Sequence, residues 1–336
     1  MNVRRLRASL RGWGGVGAMA VVCALAVVFA LLLPVTQSRE DAAAQTAGRG
    51  AGRGDRTAAG DCTDADAQNR SPAPDSGPRD GPAVRKIVER GSLVVGVDQN
   101  SYRWGYRDPN SESKTAELEG FDIDLAHAIA KDILGDEDKI VFRAVPTSER
   151  ITAIQKGDVD MVVRTMTINC DRLEQVAFSS PYFRTGQQVL APKGSDIEGY
   201  DSLSGRRVCA AKKSIAEDTL TDGRTDGDLS ASTAVTVVPN QLDCLVRLQL
   251  GEVDAVVTDG ALAASQAAQD PTVTLKGEPF TKEYYGVAMK RGADDLVRRV
   301  NAILVDYRKS EWQKSYDTWL LGTLGRSDGP PAVTYK

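Results

Sequence analysis

Few side chains in this sequence of 336 residues have the types and spacing that catalysis or metal binding requires. His127 is the only histidine, so a Ser/His/Asp triad has one candidate base and a site built from several histidines is excluded. Asp122 and Asp124 are spaced like paired catalytic carboxylates, but they begin a predicted helix, where acidic side chains serve as caps. None of the five cysteines forms a CxxC pair, which argues against a zinc ribbon and a thioredoxin-type site. We therefore expect no metal and no cofactor.

A pattern that occurs twice predicts the elements that would position a binding site. Residues Ile151–Thr165 show a helix end, a glycine stop and a short buried strand, and Leu245–Asp259 repeat that order. A similar strand precedes each copy, at Gly91–Asp98 and at Gly205–Lys212. Helical stretches follow these strands, so each half alternates strand and helix. We therefore predict an α/β protein of two lobes, each built on a mainly parallel sheet with flanking helices.

Ligands of such sheets bind beyond the carboxyl ends of the strands. The strand ends therefore place a set of polar residues at two facing rims, one on each lobe. These residues are Asp98, Arg164, Thr165, Lys212, Thr258 and Asp259. Each of them either contacts a ligand or caps the rim through a salt bridge, and the register of the strands fits both roles.

Composition and charge limit the class of protein. The chain has 42 Lys+Arg against 46 Asp+Glu, a net charge of -4, which argues against a nucleic-acid partner. Its 41% hydrophobic and 26% charged residues are ordinary for a globular protein and exclude collagen-like, wholly disordered and polytopic membrane classes. The predicted folded body, residues 84–325, is long enough for two lobes.

The N-terminus predicts a membrane segment. Residues 1–12 form a basic segment, and residues 13–35 are uncharged, apolar and longer than the roughly 20 residues that a spanning helix needs. The flanking arginines favour a cytoplasmic N-terminus, so the body would be extracytoplasmic and tethered to the membrane. Cleavage at a small-residue site, for which Ala42–Ala44 is the candidate, would instead give a secreted protein. Residues 36–83 lack Val, Ile, Leu, Met and aromatic residues, which predicts a disordered linker, and residues 326–336 form a tail.

Four segments of the folded body resemble the consensus motifs of one family. They are Gly120-Phe-Asp-Ile-Asp-Leu-Ala126, Ile154-Gln-Lys-Gly-Asp-Val-Asp160, Met166-Thr-Ile-Asn-Cys-Asp-Arg172 and Phe178-Ser-Ser-Pro-Tyr-Phe183. They are similar to GFDVDLA, LQxGxxD, MTITPER and FSxPYY of the extracellular solute-binding proteins of family 3, the polar amino-acid receptors of ABC uptake systems. The resemblance covers residues 84–324 in order, and it points to the glutamate-, aspartate- and glutamine-binding branch of actinobacteria.

This resemblance implies a two-lobed periplasmic-binding-protein type 2 fold. On this basis lobe 1 covers residues 84–188 and lobe 2 covers residues 189–283, and residues 284–325 return to lobe 1 and end in a C-terminal helix. Chain crossings near Gln187–Ala191 and Lys282–Gly286 would form the hinge. The lobes would close over a ligand by bending at this hinge.

The resemblance also implies roles for individual residues. Arg172 would clamp the α-carboxylate of an amino acid through two parallel N–H bonds, a geometry that lysine cannot reproduce. The hydroxyl of Thr167 and the backbone of Thr165 would add contacts. Asp259 would pair with the α-ammonium group, and Ser214 would place a helix N-terminus beside a carboxylate. The two charged ends of a free amino acid would thus meet groups of opposite charge.

Arg150 bears on the side chain of the ligand. In the glutamate- and aspartate-binding branch a second arginine at this position takes the side-chain carboxylate, and Arg164 would line the same cleft. Buried cations at this density need anions, so glutamate or aspartate is predicted in preference to glutamine. The alternative is a surface arginine paired with Glu149 or Glu174.

Some positions depart from the family pattern. Lys213 stands where relatives have glycine, so a close approach of ligand to backbone is in question there. Thr147 stands where some members have a phenylalanine that stacks on the ligand. Trp104 or Tyr102 would supply that wall, with core packing as the alternative role. Asp98 and Lys213 stay in the candidate set as further contacts.

Relatives that bind glutamate carry a cysteine pair similar to Cys209 and Cys244, which implies one disulfide in lobe 2. Cys62 and Cys170 remain, and we predict a second disulfide that staples the linker near the cleft. Buried free thiols are the alternative for both pairs.

We therefore predict an extracytoplasmic monomer that binds glutamate or aspartate and delivers it to an ABC permease, without catalysis. A sensor that relays amino-acid levels to a membrane signalling partner is the alternative. Glutamine-specific binding is a further alternative, as is a dehydratase with Asp259 or Glu149 as its general acid. An acid that pairs with an amine and an arginine clamp explain the same residues without turnover.

Overall fold

The computed structural model describes residues 62–108 and 117–336. The predicted basic segment (1–12), the membrane segment (13–35) and most of the predicted linker lie outside the described residues. Among the helices of the described part, none is long and apolar enough to cross a membrane.

The described residues form strands and helices in alternation. The strands are β1 (Leu93–Val97), β2 (Asn100–Ser101), β3 (Gly105–Arg107), β4 (Leu118–Glu119), β5 (Ile140–Ala144), β6 (Met161–Val162), β7 (Val176–Phe178), β8 (Phe183–Thr185), β9 (Gln187–Pro192), β10 (Arg207–Ala211), β11 (Ala234–Val238), β12 (Ala255–Asp259), β13 (Val273–Lys276), β14 (Glu283–Tyr285) and β15 (Ala288–Lys290). The α-helices are α1 (Pro82–Arg90), α2 (Phe121–Leu134), α3 (Arg150–Lys156), α4 (Cys170–Leu173), α5 (Ile215–Asp226), α6 (Gln241–Gln249), α7 (Gly260–Gln269), α8 (Asp294–Tyr307), α9 (Glu311–Trp319) and α10 (Leu321–Leu324). Short 3₁₀ turns occur at Ala67–Asn69, Thr147–Glu149 and Tyr200–Leu203.

Most of the described strands form two sheets with the same layout. The order is β5-β1-β6-β15-β7 in the first sheet and β11-β10-β12-β9-β13 in the second. In each sheet one strand, β15 or β9, runs antiparallel to its neighbours, and the other four run in one direction. This topology confirms the prediction of an α/β protein with two lobes and mainly parallel sheets.

The sequence repeat corresponds to a helix, a glycine turn and a strand in each lobe. Helix α3 ends at Lys156 and Gly157 follows with a φ of 77°, while α6 ends at Gln249 and Gly251 has a φ of 70°. Glycine adopts this left-handed conformation without steric cost, so the chain can leave the helix and enter the strand. Strands β6 and β12 follow and are buried along their whole length, as expected for central strands covered on both faces.

The two sheets are joined by the antiparallel pair of β8 and β14. The first predicted hinge segment, Gln187–Ala191, differs from this arrangement, because it lies within β9 and is buried in the second sheet. The crossing therefore comes earlier in the chain, at β8. The second predicted segment, Lys282–Gly286, contains β14. Gly186 follows β8 at a close approach, since a Cβ there would lie 2.0 Å from the carbonyl oxygen of Thr281.

The end of the predicted linker is not disordered in this structure. Ala67 is 1% exposed in a core cluster of lobe 1. Ser71 Oγ donates to the carbonyl of Phe178 at 2.9 Å, and Asn301 Nδ2 donates to Ser71 Oγ at 2.7 Å. The segment has no large apolar side chains, and hydrogen bonds of small polar residues hold it against lobe 1 instead. The prediction of disorder was therefore wrong for residues 62–83.

The structure contains both cysteine pairs that were predicted. Cys62 is bonded to Cys170, which places the end of the linker on α4 of lobe 1. Cys209 is bonded to Cys244, which joins β10 to α6 inside lobe 2. Cys209 and Cys244 are fully buried, whereas the first pair is half-buried.

Candidate ligand-binding site

A cavity between the lobes is lined by residues of both. Its lining comprises Thr147, Arg150, Arg164, Thr165, Thr167, Arg172, Ala211, Ser214, Ile215, Ala216, Gln241, Thr258, Asp259 and Leu262. The six residues to which the resemblance assigned ligand contact all belong to this set, and so does Arg164. Asp98, Trp104 and Lys213 do not line the cavity. The chain therefore brings together, between two lobes, residues that are far apart in its sequence.

The cavity lies at the carboxyl ends of the central strands, as the sheet topology requires. Thr165 follows β6, Asp259 ends β12 and Ser214 follows β10. Thr165 has a φ of 40°, a left-handed conformation that costs a residue other than glycine about 1–3 kcal/mol. Its N–H donates to Asp122 Oδ2 at 2.9 Å, and this bond holds the strained turn. The amide predicted to contact the ligand is therefore already bonded within lobe 1.

Arg172 spans the gap between the lobes. It lies on α4, whose first turn is capped by Asn169 Oδ1, which accepts from the Arg172 N–H at 3.0 Å. Its guanidinium donates to the carbonyl of Thr167 at 2.7 Å and to the carbonyl of Lys213 in the other lobe at 3.3 Å. Burial lowers the pKa of Arg172, while the charge of Glu283 acts in the opposite direction. The side chain makes no ion pair with a described carboxylate.

Arg150 is buried beside Arg172 and is also without a partner of opposite charge among the described residues. Its Nε donates to the carbonyl of Thr147 at 3.1 Å, and its Nη1 donates to the carbonyl of Arg164 at 3.3 Å. Burial lowers the pKa of Arg150 well below its usual value, and the charges of Arg172 and Arg164 add to this effect. The alternative of a surface arginine paired with Glu149 or Glu174 therefore does not describe this side chain, which is 5% exposed.

Arg164 differs from the other two arginines because its charge is compensated. It forms a buried ion pair with Asp98 Oδ2 at 2.8 Å. It also donates to Thr147 Oγ1 at 2.9 Å and to Asn240 Oδ1 of lobe 2 at 3.2 Å. Burial raises the pKa of Asp98, but the Arg164 charge and hydrogen bonds from Ser101 and its neighbours outweigh burial and lower it. Asp98 thus lies behind the cavity as a partner of Arg164.

Asp259 faces the arginines from lobe 2. Its Oδ1 accepts from Gln187 Nε2 and its Oδ2 accepts from the Tyr285 hydroxyl, both at 2.5 Å. Burial and the charge of Glu283 raise the pKa of Asp259 to about 7. Thr167 does not present a free hydroxyl, because Thr167 Oγ1 donates to Glu283 Oε2 at 2.7 Å.

Ser214 caps α5 at the edge of the cavity. Its hydroxyl accepts from the N–H of Glu217 at 3.2 Å and donates to the carbonyl of Ala211 at 2.6 Å. Lys213 keeps the backbone shape that glycine would have, with a φ of 58°. Its carbonyl accepts from Arg172 as described above. The departure from glycine at this position therefore leaves the turn intact.

Trp104 packs in the core of lobe 1 and does not form a wall of the cavity. It is fully buried, and its ring lies at 4.8 Å from the ring of Phe183 and 5.5 Å from the ring of Phe121. Tyr102 packs edge-on against Tyr106 at 5.1 Å. The apolar lining comes instead from lobe 2, where Ile215, Ala216 and Leu262 face the cavity. The large aromatic side chains are taken up by the core, which is why the predicted aromatic wall does not occur.

Several residues that support the site were missed or misinterpreted in the sequence. Asp122 does not cap α2, because its carboxylate is buried and accepts from the Tyr182 hydroxyl at 2.8 Å and from the Thr165 N–H. Burial raises the pKa of Asp122 to about 7. Glu283 on β14 and Gln187 at the start of β9 support Asp259 and Thr167. Their only sequence signal was their position within the two segments predicted as chain crossings.

Gln241 was also missed, and it joins the lobes directly. It begins α6 in lobe 2, and its Nε2 donates to Asp98 Oδ2 at 3.0 Å and to the hydroxyl of Ser101 in lobe 1. Asn240 beside it accepts from Arg164. These contacts hold the two rims against each other across the cavity.

Comparison with known proteins gives a consistent result. Residues 93–322 match the family model described as "Bacterial extracellular solute-binding proteins, family 3". The chain is 36% identical over 236 residues to the "ABC transporter glutamine-binding protein GlnH" of Bacillus subtilis, covering 70% of this chain and 83% of that protein. It is 31% identical over 229 residues to the "Glutamate-binding protein GluB" of Corynebacterium glutamicum, covering 65% of this chain and 74% of that protein.

Solved structures of similar shape are also binding proteins. An ancestral arginine-binding protein bound to glutamine superimposes with a TM-score of 0.63 at 35% identity, covering 70% of this chain and 99% of that one. The solute receptor for L-cysteine of Neisseria gonorrhoeae superimposes with a TM-score of 0.66 at 25% identity, covering 72% of this chain and 95% of that one.

Proposed function

Because the chain belongs to the bacterial extracellular solute-binding proteins of family 3, we propose that it binds an amino acid outside the cell and delivers it to an ABC transporter. The relatives named above are solute-binding proteins and not enzymes, in agreement with the expectation of binding without turnover. The observation that carries the proposal is the cavity between the lobes, which has Arg150 and Arg172 on one side and Asp259 on the other.

The charges of the cavity suit the two ends of a free amino acid. Arg172 is buried without an ion pair among the described residues, and its two terminal nitrogens now bond only backbone carbonyls. A ligand carboxylate would supply the missing negative charge through charge-assisted hydrogen bonds. Asp259 would receive the α-ammonium group. Burial opposes ionisation of this carboxylate, and a nearby cation stabilises the ionised form.

Arg150 is the residue that favours a ligand with an acidic side chain. Asp98 compensates Arg164, so Arg150 and Arg172 are the two arginines of the cavity that have no ion-pair partner among the described residues. One α-carboxylate can compensate one of them, and the second requires a further anion, because an unpaired buried charge costs several kcal/mol. Glutamate or aspartate would supply it. We therefore propose a dicarboxylic amino acid as the ligand.

Glutamine is the second candidate, and a specific observation favours it. The Bacillus subtilis relative at 36% identity is named as a glutamine-binding protein, and the ancestral protein at 35% identity was solved with glutamine bound. An amide oxygen would accept from Arg150 but would leave its charge uncompensated. Both ligands must therefore be tested against the same variants.

The test begins with a thermal-shift screen of the twenty amino acids, because a ligand that binds the native state raises the melting temperature. Calorimetry with glutamate and glutamine follows for the wild type, Arg150→Ala, Arg172→Ala and the control Arg143→Ala, which removes an exposed arginine of β5.

Arg150→Ala is expected to weaken glutamate binding at least about 30-fold and to weaken glutamine binding much less, because only glutamate loses a charge pair. Arg172→Ala should weaken both ligands, and Arg143→Ala neither. Equal losses of glutamate and glutamine in Arg150→Ala would contradict the acidic ligand, and the absence of any melting-temperature shift would contradict amino-acid binding.

The proposed location and state of the protein also need tests. We propose a tether through residues 13–35 and a monomeric body, and both predictions concern features outside the contacts described above. Fractionation of cells that express the full chain, or a chain beginning at residue 36, would test the tether. Light scattering would test the monomer. Among the described residues we found no feature that favours a signalling partner over a permease.

A further inference from the structure

A second carboxylate lies beside the proposed ammonium subsite. Glu283 is on β14, in the hinge, and it is 6% exposed. Its carboxylate accepts from Thr167 Oγ1 at 2.7 Å, Thr281 Oγ1 at 2.8 Å and Gln187 Nε2 at 2.9 Å. Thr167 lines the cavity, so Glu283 fixes the direction of a hydroxyl at the site.

A single amide nitrogen connects this carboxylate to Asp259. Gln187 Nε2 donates both to Glu283 Oε1 at 2.9 Å and to Asp259 Oδ1 at 2.5 Å. All three side chains are at most 9% exposed. Two carboxylates held this close and away from water repel each other when both are ionised. The charge of Glu283 therefore opposes ionisation of Asp259.

The other groups around Asp259 come from several elements. The charged or titratable ones are Arg150 on α3, Arg172 on α4, Glu283 and Tyr285 on β14. The arginines favour ionisation of Asp259 and Glu283 opposes it. A ligand carboxylate would compensate the positive charge of the arginines, while the ligand ammonium group would add positive charge beside Asp259.

We propose that Glu283 positions Thr167 and Gln187 in the ammonium subsite, and that its charge beside Asp259 makes ligand binding release a proton. This inference rests on the proposed function, because it takes the ligand to be an amino acid with a free ammonium group. In the ligand-free protein part of the population carries a proton on Asp259. When the ammonium group binds, Asp259 ionises and the proton passes to bulk solvent, and no covalent bond to the ligand forms.

The direction of the pH dependence follows from this exchange. Only the ionised form of Asp259 pairs with an ammonium group, and burial together with Glu283 raises the pKa of Asp259 to about 7. The ionised fraction falls as the pH falls through this value, so the observed Kd rises on acidification. Between pH 8 and pH 6 the competent fraction falls about tenfold, and the Kd is expected to rise about tenfold.

The experiment measures the Kd and the released protons by calorimetry at pH 6, 7 and 8, in buffers with different ionisation enthalpies. The ligand is glutamate or glutamine, whichever binds the wild type. The variant is Glu283→Gln, which keeps the length of the side chain and removes its charge. The control is Glu278→Gln, which removes an exposed acid from the segment before β14.

In Glu283→Gln the pKa of Asp259 should fall, so the ratio of Kd at pH 6 to Kd at pH 8 should fall from about tenfold to less than about threefold. Glu278→Gln should keep the wild-type ratio. Asp122 also titrates near this range, but Glu283 is not among its neighbours, so a ratio that survives in Glu283→Gln would overturn the proposal.

The wild type provides a test that does not depend on the folding of the variant. Equal Kd values at pH 6 and pH 8, or binding without proton release at pH 7, would overturn the inference about Glu283. The proposed function fails in a different way, since no amino acid would then shift the melting temperature at any of the three pH values.

Discussion

At the scale of single residues, the site depends on which buried charges have partners. Arg164 and Asp98 form a buried pair at 2.8 Å, whereas Arg150 bonds only carbonyl oxygens in the described structure. The same residue type therefore has two roles. Arg164 stabilises the rim of lobe 1 through its ion pair, and Arg150 keeps a positive charge that an anionic ligand can compensate.

Asp98→Asn tests the role of this ion pair. The substitution leaves the Arg164 guanidinium buried without a counter-charge, and the free energy of unfolding is expected to fall by about 3–5 kcal/mol at pH 7. The pKa of Asp98 is lowered in the folded protein, so its contribution is present above the unfolded pKa of about 3.9 and is lost as the pH falls through the folded pKa. Urea unfolding at pH 7 and pH 3 would measure the difference.

The control for this prediction is Asp196→Asn, which removes the acid of an exposed ion pair with Arg206. Solvent screens such a pair, so only a small change is expected. If both substitutions lower the free energy of unfolding equally at pH 7, the buried pair does not stabilise the protein more than an exposed one.

The partners of the site residues could not be predicted from the sequence. The register of the strands placed Asp98 and Arg164 on one rim, but whether they bind each other or the ligand depends on side-chain directions that periodicity does not give. Asp122 illustrates the same limit. Its position at a helix start predicted a cap, whereas tertiary packing turned it towards Tyr182 and Thr165.

At the scale of elements, the sequence was more informative. The repeated order of helix, glycine and strand predicted α3 with β6 and α6 with β12, because apolar runs and glycine stops report local structure. The first hinge segment was predicted too far towards the C-terminus. Strands β8 and β9 are separated only by Gly186, and the short β8, Phe183-Arg-Thr, has no apolar run that marks it as a separate strand. Residues 62–83 are ordered because they contact residues that are distant in the sequence, and composition does not reveal such contacts.

Helix α4 carries the proposed carboxylate clamp although it has only four residues. Its first residue, Cys170, is bonded to Cys62, and the Cys170 N–H donates to Asp64 Oδ1 at 2.8 Å. So short a helix has little stability of its own. The covalent link to the linker therefore helps to hold Arg172 in place.

Replacing Cys62 and Cys170 together by serine is expected to raise the Kd for the amino acid several-fold, because α4 becomes more mobile. Replacing Cys209 and Cys244 together should leave the Kd nearly unchanged, since that disulfide joins β10 to α6 away from the clamp. Both double variants should lose roughly 2–4 kcal/mol of stability in urea unfolding. Calorimetry on the two variants gives the comparison, and similar Kd shifts in both would show that α4 needs no such support.

At the scale of the whole molecule, the binding residues themselves connect the lobes. Arg172 of lobe 1 donates to the Lys213 carbonyl of lobe 2, Arg164 donates to Asn240, and Gln241 donates to Asp98. The hinge strands β8 and β14 form a further link. The equilibrium between open and closed lobes is therefore set by the same residues that bind the ligand, and a ligand shifts it by as much as its affinity differs between the two states.

Gln241→Ala isolates one of these links. The substitution removes the bonds to Asp98 and Ser101, which are worth about 1–3 kcal/mol for contacts to a charged group. Ligand-free protein should shift towards the open state, and its radius of gyration in X-ray scattering should increase. Saturating ligand should restore the wild-type value, while the Kd rises by about 5- to 150-fold because less of the protein is competent to bind.

The matched control for this last prediction is Gln249→Ala, on the other end of α6. Gln249 Nε2 donates to Asp270 Oδ2 at 2.9 Å, so its loss removes a bond within lobe 2 and none across the cavity. This variant should unfold more easily but should keep the radius of gyration and the Kd of the wild type. A Gln241→Ala protein that matches Gln249→Ala in all three measurements would mean that the contact at Gln241 does not control closure.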